Sequence, residues 1–231
     1  KWNHFDDAVK EYNTLIQTDP RSSEPRLRLA KLYEEFERYE EAENLLLSVV
    51  NLYGEIGQLQ LGSFYVRVME IEPAKALWFH KAGSFFYRLY GIETYRFPAD
   101  IQVYDQSSEP SSFEQRQKKR YFFDTTNLSE RAIAYLLIAD RLAADETVMR
   151  IDINDKLGDL YTWRDSTNIA VKHYEVATGL QPANAGTRMK LIDNYKRNWQ
   201  NTNALRQLDS LNERREINFT YQLQLAKFYI H

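Results

Sequence analysis

The feature that most constrains the fold is a repeat with a period of 34 residues. Leucine–tyrosine pairs recur at that step, as Leu157–Tyr161, Leu191–Tyr195 and Leu225–Tyr229. Alanines keep the same step in two pairs, Ala170 with Ala204 and Ala8 with Ala42. A fixed period of this length is typical of an array of helix–turn–helix units. We therefore predict a repeat array, and this architecture makes an enzyme less expected than a binding protein.

Composition agrees with a globular chain built from helices. The 231 residues are 43% hydrophobic and 27% charged, and only 8 are glycine and 6 are proline. Few residues therefore interrupt helices. No cysteine is present, which excludes disulfides, thiolate nucleophiles and cysteine zinc sites. The net charge of −3 does not favour nucleic acid. No apolar run approaches the roughly 20 residues that a transmembrane helix needs, so we expect a soluble chain.

The best copy of the repeat spans residues 151–184. Its markers are Gly158, Tyr161, Ala170, Tyr174, Ala177 and Pro182. Gly158 carries no Cβ and so permits close helix approach, and Pro182 cannot continue a helix. In residue type and spacing all six resemble the tetratricopeptide repeat. The resemblance implies an all-α, right-handed superhelical solenoid of helix–turn–helix repeats, with first helices lining a concave groove.

The register divides residues 1–231 into a single array with one long insertion. The predicted parts are a half repeat 1–22, a repeat 23–56, a partial repeat 57–75, a repeat 76–150 with insertion 91–126, repeats 151–184 and 185–218, and a half repeat 219–231. The partial repeat lacks a first helix, so we expect a helix to be deleted or lost near residues 53–58. Lys1 is not a natural start, so we expect a fragment or processed form, which leaves the compartment open. Two of these chains could associate through the exposed half repeats.

The insertion is the one segment that the period does not explain. It combines aromatic and basic side chains, among them Tyr95, Phe97, Tyr104, Lys118, Lys119, Arg120 and Tyr121. The basic run with Lys118, Lys119 and Arg120, followed by Tyr121, could bind nucleic acid through phosphate contacts and stacking. Docking of the aromatics onto the array is the favoured interpretation, since one short basic run supplies few phosphate contacts. Exposed aromatics could also stack on a sugar or a peptide.

The resemblance also implies which side chains face a ligand. The matching first-helix positions are Leu27, Lys31, Glu34, Asp152, Asp155, Asp159, Trp163, Met189, Asp193, Lys196, Arg197 and Lys227. Asp152, Asp155 and Asp159 would place three carboxylates along one helical face. That face would suit a basic or amine-bearing partner, although simple solvation explains it as well.

No pattern in the sequence indicates catalysis. The four histidines are scattered without metal-ligand spacing, and no phosphate-binding glycine loop is present, so we expect no metal or cofactor. We therefore predict a non-catalytic scaffold that binds a peptide or helix of a partner protein. Two alternatives stay open, a receptor for a glycan or metabolite that uses the aromatics of the insertion, and a helical region of a larger enzyme.

Overall fold

A computed structural model describes residues 4–96 and 127–213. Within these ranges the secondary structure is helical, without a strand. The helices are α1 (Phe5–Thr18), α2 (Glu24–Glu35), α3 (Tyr39–Tyr53), α4 (Glu55–Ile71), α5 (Ala76–Arg96), α6 (Leu128–Leu142), α7 (Thr147–Trp163), α8 (Thr167–Leu180), α9 (Ala185–Arg197) and α10 (Asn201–Glu213). None of them is both long enough and apolar enough to cross a membrane.

The chain divides into two compact units. The first comprises Lys1–Pro73 with Arg96–Thr126, and the second comprises Ala74–Tyr95 with Asn127–His231. In the first unit, α1 packs against α2, α2 against α3 and α3 against α4, and in the second unit each helix from α6 to α9 packs against the one that follows it. This confirms the predicted all-α, helix–turn–helix architecture for the described residues.

The turns that follow α7 and α9 have one geometry. Asp165 follows α7 and Trp199 follows α9, one period later, and both have a left-handed backbone, with φ of 56° and 61°. The next N–H donates to the carbonyl of the repeat tyrosine, from Ser166 to Tyr161 at 2.8 Å and from Gln200 to Tyr195 at 2.9 Å. This bond pattern ends a helix and reverses the chain.

The predicted close approach at Gly158 is confirmed. A Cβ placed on Gly158 would lie 2.4 Å from Cε1 of Tyr174, and one placed on Gly83 would lie 2.7 Å from Cγ of Leu136. Both glycines hold the same place in their repeats. Around Tyr174 the core continues into α9 and α10, where Leu191, Ile192, Leu208 and Leu211 are fully buried.

The segment 53–58 contains the junction of two consecutive helices. Only Gly54 separates α3 from α4, and its φ of 52° with ψ of −113° is a conformation that other residues rarely adopt. A Cβ on Gly57 would lie 2.4 Å from backbone atoms of Val50. The two helices thus cross with their backbones nearly in contact, and the long spacing between Pro20 and Pro73 includes this additional helix, α4.

The first helix of the insertion-bearing repeat is longer than its counterparts. α5 continues through Arg96, past Gly91, where the repeat pattern stops. Tyr90 holds the repeat position that Asp165 and Trp199 hold in the later repeats. The chain turns at Asp165 and Trp199, whereas α5 continues past Tyr90. Residues 97–126 lie outside the described part of the chain, and so do the predictions for Phe97, Tyr104, Lys118, Lys119, Arg120 and Tyr121.

Candidate partner-binding face

The first helices of the second unit meet at the carboxylate of Asp159. Its Oδ1 accepts a hydrogen bond from the hydroxyl of Tyr174 at 2.7 Å. Its Oδ2 accepts from the hydroxyl of Tyr87 at 2.8 Å and from Nζ of Lys190 at 2.9 Å. The side chain of Asp159 is only 13% exposed. Asp159 therefore connects three first helices, α5, α7 and α9, to the second helix α8.

Lys190 bridges two carboxylates on α7. Besides Asp159, its Nζ donates to Oδ2 of Asp155 at 2.7 Å, while Oδ1 of Asp155 accepts from the hydroxyl of Thr187 at 2.8 Å. Burial disfavours the charged amine, but the hydrogen bonds to Asp155 and Asp159 outweigh it and raise the pKa of Lys190. Lys190 therefore stays protonated between the carboxylates of Asp155 and Asp159.

Asp152 is also paired within the chain. Its Oδ2 lies 2.5 Å from Nε2 of His80 on α5 and accepts a hydrogen bond from Lys156 one turn along α7. Burial alone would raise the pKa of Asp152, but the hydrogen bonds from His80 and Lys156 lower it to about 2. The amine that a basic partner would bring to the three aspartates is thus supplied within the chain by Lys190 and Lys156.

Next to this network lies a group of aromatic rings. Trp163, the last residue of α7, stacks on Tyr87 with ring centroids 5.2 Å apart and planes at 18°. Tyr90 leans against Trp163 at 5.9 Å and 45°. Burial, followed by the charge of Asp159, raises the pKa of Tyr87 above its usual range. The Tyr87 hydroxyl therefore stays protonated, donates to Asp159 and holds the ring beneath Trp163.

A small pocket opens between α7 and α9. It has a volume of about 140 Å³, and its lining residues are Asp159, Thr162, Tyr174, Lys190, Asp193, Asn194 and Arg197. Asn194 is buried, accepts a hydrogen bond from Thr162 at 3.0 Å and donates to the carbonyl of Lys190 at 2.9 Å. The polar groups at its base are therefore satisfied by one another.

The first unit contributes fewer accessible groups. Glu34 receives two hydrogen bonds from the guanidinium of Arg67 on α4, at 2.6 and 2.8 Å. Leu27 is half-buried, and Lys31 is exposed on the same helix. Of the three predicted ligand-facing residues here, Lys31 is the accessible one.

The predicted ligand-facing residues of the second unit separate into exposed and internal groups. Trp163, Asp193, Lys196 and Arg197 are exposed. The prediction for Met189 was wrong, because its side chain is 9% exposed and belongs to the core. Met189 lies one turn before Ile192 and so falls on the apolar stripe of α9. The prediction for Lys227 lies outside the described residues, as does the side chain of Tyr95.

Sequence reasoning missed Lys190, His80 and Tyr87, which complete the network. The family pattern assigns the ligand-facing position to Met189, one residue before Lys190, and for that reason it did not select Lys190. His80 and Tyr87 are each 72 residues from the aspartate that they contact. One signal could have pointed to Lys190. A carboxylate at position 159 that faces α9 needs a cation nearby.

Comparisons with known proteins give a family match in the first unit. The model described as tetratricopeptide repeat matches residues 3–55. A search of the curated proteins found no match.

Among solved structures, the chain is similar to MamA, with 17% identity over 92% of this chain and 89% of that chain and a TM-score of 0.42. It is similar to TTC0263, a TPR protein of Thermus thermophilus, with 13% identity over 91% of this chain and 100% of that chain and a TM-score of 0.43. For YrrB, described as a TPR protein with an unusual peptide-binding site, identity is 17% over 95% and 99%, with a TM-score of 0.42. The family match places a tetratricopeptide repeat in residues 3–55, and the helix pairs of the second unit recur with the 34-residue period that is typical of such repeats.

Proposed function

We propose that the chain is a non-catalytic scaffold that binds a peptide or helix of a partner protein on its first-helix face. The observation that carries this proposal is the network around Asp159, which ties α5, α7 and α9 together through Tyr87 and Lys190. These contacts hold the spacing of the first helices before any partner arrives. A preorganised surface loses less conformational entropy on binding than a mobile one.

The exposed residue types support a protein partner. Trp163 and Arg197 both lie exposed on this face, and tryptophan and arginine are enriched among the residues that dominate binding energy at protein interfaces. In residues 4–96 and 127–213 the guanidinium of Arg197 makes no side-chain hydrogen bond or ion pair. It is therefore available to donate to a partner's backbone or side-chain oxygens.

The small-ligand alternative has weaker support. The pocket beside Lys190 measures about 140 Å³, whereas sites for small molecules occupy about 300–1,000 Å³. The aromatics of the insertion that were expected to close over such a ligand lie outside the described residues. A volume of about 140 Å³ is enough for one side chain. Such a pocket suits a groove in which a peptide is bound.

The test is a selection from a random peptide library displayed on phage, with the 231-residue chain as bait. Binding of the selected peptides is then titrated against Trp163→Ala/Arg197→Ala. Lys172→Ala/Val176→Ala is the matched control, because both residues are exposed on the second helix α8. We expect the first variant to bind about tenfold or more weakly and the control to match the parent.

Circular dichroism shows whether all three proteins have the same helical content. A library that yields no binders, or peptides that bind both variants as tightly as the parent, would refute the proposal.

A further inference from the structure

We propose that Trp163 anchors a proline-containing, extended segment of the partner, an inference that rests on the proposed function of the first-helix face. Trp163 is 46% exposed although it is part of a ring cluster. Its indole combines a stacking surface and a hydrogen-bond donor, and the chain fixes its position.

A series of contacts holds the indole. Asp159 accepts from the hydroxyl of Tyr87, and the ring of Tyr87 then stacks on Trp163 with planes at 18°. Tyr90 touches the indole from α5, and a Cβ on Gly91 would lie 3.7 Å from Cη2 of Trp163, in ordinary contact. The exposed indole therefore loses little conformational entropy when a ligand stacks on it.

Charge around the anchor decides against a cationic ligand. Tryptophan faces attract cations, and three aspartates on the same helix would add to that attraction. However, Asp152 is paired with His80 and Lys156, and Lys190 is paired with both other aspartates. Most of the negative charge of this face is thus compensated internally by Lys156 and Lys190, and the exposed chemistry at Trp163 is aromatic.

A proline segment fits what remains. The pyrrolidine ring is compact and apolar, and it can pack against the face of an indole. A polyproline II segment has no internal hydrogen bonds, so its carbonyls are free acceptors. In the described part of the chain, the indole N–H of Trp163 has no hydrogen-bond partner, and it could donate to such a carbonyl. Because proline restricts the segment beforehand, little entropy is lost on docking.

The experiment compares two fluorescent ten-residue peptides, one proline-rich and one with every proline replaced by alanine, by anisotropy with the full chain. We expect the proline-rich peptide to bind at least about tenfold more tightly. Trp163→Ala should weaken its binding about tenfold or more. Trp163→Phe should weaken it less, because a ring remains but the N–H donor is lost.

Trp199→Ala is the matched control. Trp199 is 87% exposed on the turn between α9 and α10, and its loss should leave the affinity unchanged. An equal effect of Trp199→Ala, or no effect of Trp163→Ala, would overturn the assignment of the site. Binding of a linear hexasaccharide that depends on Trp163, without binding of the proline-rich peptide, would overturn the ligand class in favour of a sugar.

The phage-selected peptides separate this inference from the proposed function. If they bind through Trp163 and Arg197 but show no dependence on proline, only the proline inference fails. If neither they nor the proline-rich peptide bind, both fail.

Discussion

Replacement of Gly158 by alanine tests the close contact between the two helices of the best-matched repeat. The added Cβ would lie 2.4 Å from Cε1 of Tyr174 and 2.6 Å from two further ring atoms. Tyr174 is 1% exposed, and Asp159 holds its hydroxyl at 2.7 Å, so the ring has little room to move. Overpacking of this kind costs about 1–3 kcal/mol.

A second term acts in the opposite direction. Alanine favours a helix interior over glycine by about 0.8–1.0 kcal/mol. Gly158→Ala should therefore lower the free energy of unfolding by about 0–2 kcal/mol, which is the overpacking cost minus this gain. Gly179→Ala is the control on α8, because nothing lies within 4 Å of its added Cβ. It should stabilise the protein by up to about 1 kcal/mol.

Differential scanning calorimetry measures both effects on one protein. At about 2–4 °C per kcal/mol for a chain of this size, Gly158→Ala should melt about 2–12 °C below Gly179→Ala. In a background of Tyr174→Leu, which removes the ring, most of the difference should disappear. Equal melting shifts for the two alanine variants would contradict the packing at Gly158.

Three further predictions concern other contacts. Gly54→Ala should destabilise the protein by about 1–3 kcal/mol through backbone strain, since its φ is positive while no atom lies within 4 Å of its added Cβ; chemical denaturation measures this, and an unchanged midpoint would refute the turn geometry. Asp159→Asn should cost about 1–3 kcal/mol, and a double-mutant cycle with Lys190→Met should show a coupling energy above about 0.5 kcal/mol; additive effects would argue against the ion pair. Asp152 has a folded pKa of about 2 against 3.8 for the ordinary group, so it contributes stability above pH 3.8 that is lost as the pH falls toward 2. Because its side chain is 46% exposed, this contribution is about 1 kcal/mol or less, and Asp152→Asn should lose less stability than the parent between pH 5 and pH 2; identical acid titrations of the two proteins would refute this pairing.

The sequence by itself determined the helical repeat and the close helix contact at Gly158. Gly158 and Tyr174 lie only 16 residues apart, in one helix pair, so a local pattern of spacing was enough to predict that the two helices approach closely at Gly158. The same pattern marked the insertion, because residues 91–126 do not follow the 34-residue period. Periodicity of this kind carries information about each repeat and its immediate neighbour.

Only the tertiary structure decided the chemistry of the candidate face. Asp159 meets Tyr87, 72 residues earlier, and Lys190, 31 residues later, and the spacing of one repeat indicates neither partner. Gly54 likewise gave no sign in the pattern that two helices join through a single residue, because the period is broken there. Packing pairs the three acidic residues of α7 with groups of the same chain and leaves Trp163 exposed at the end of that helix, because such pairing depends on distances in space.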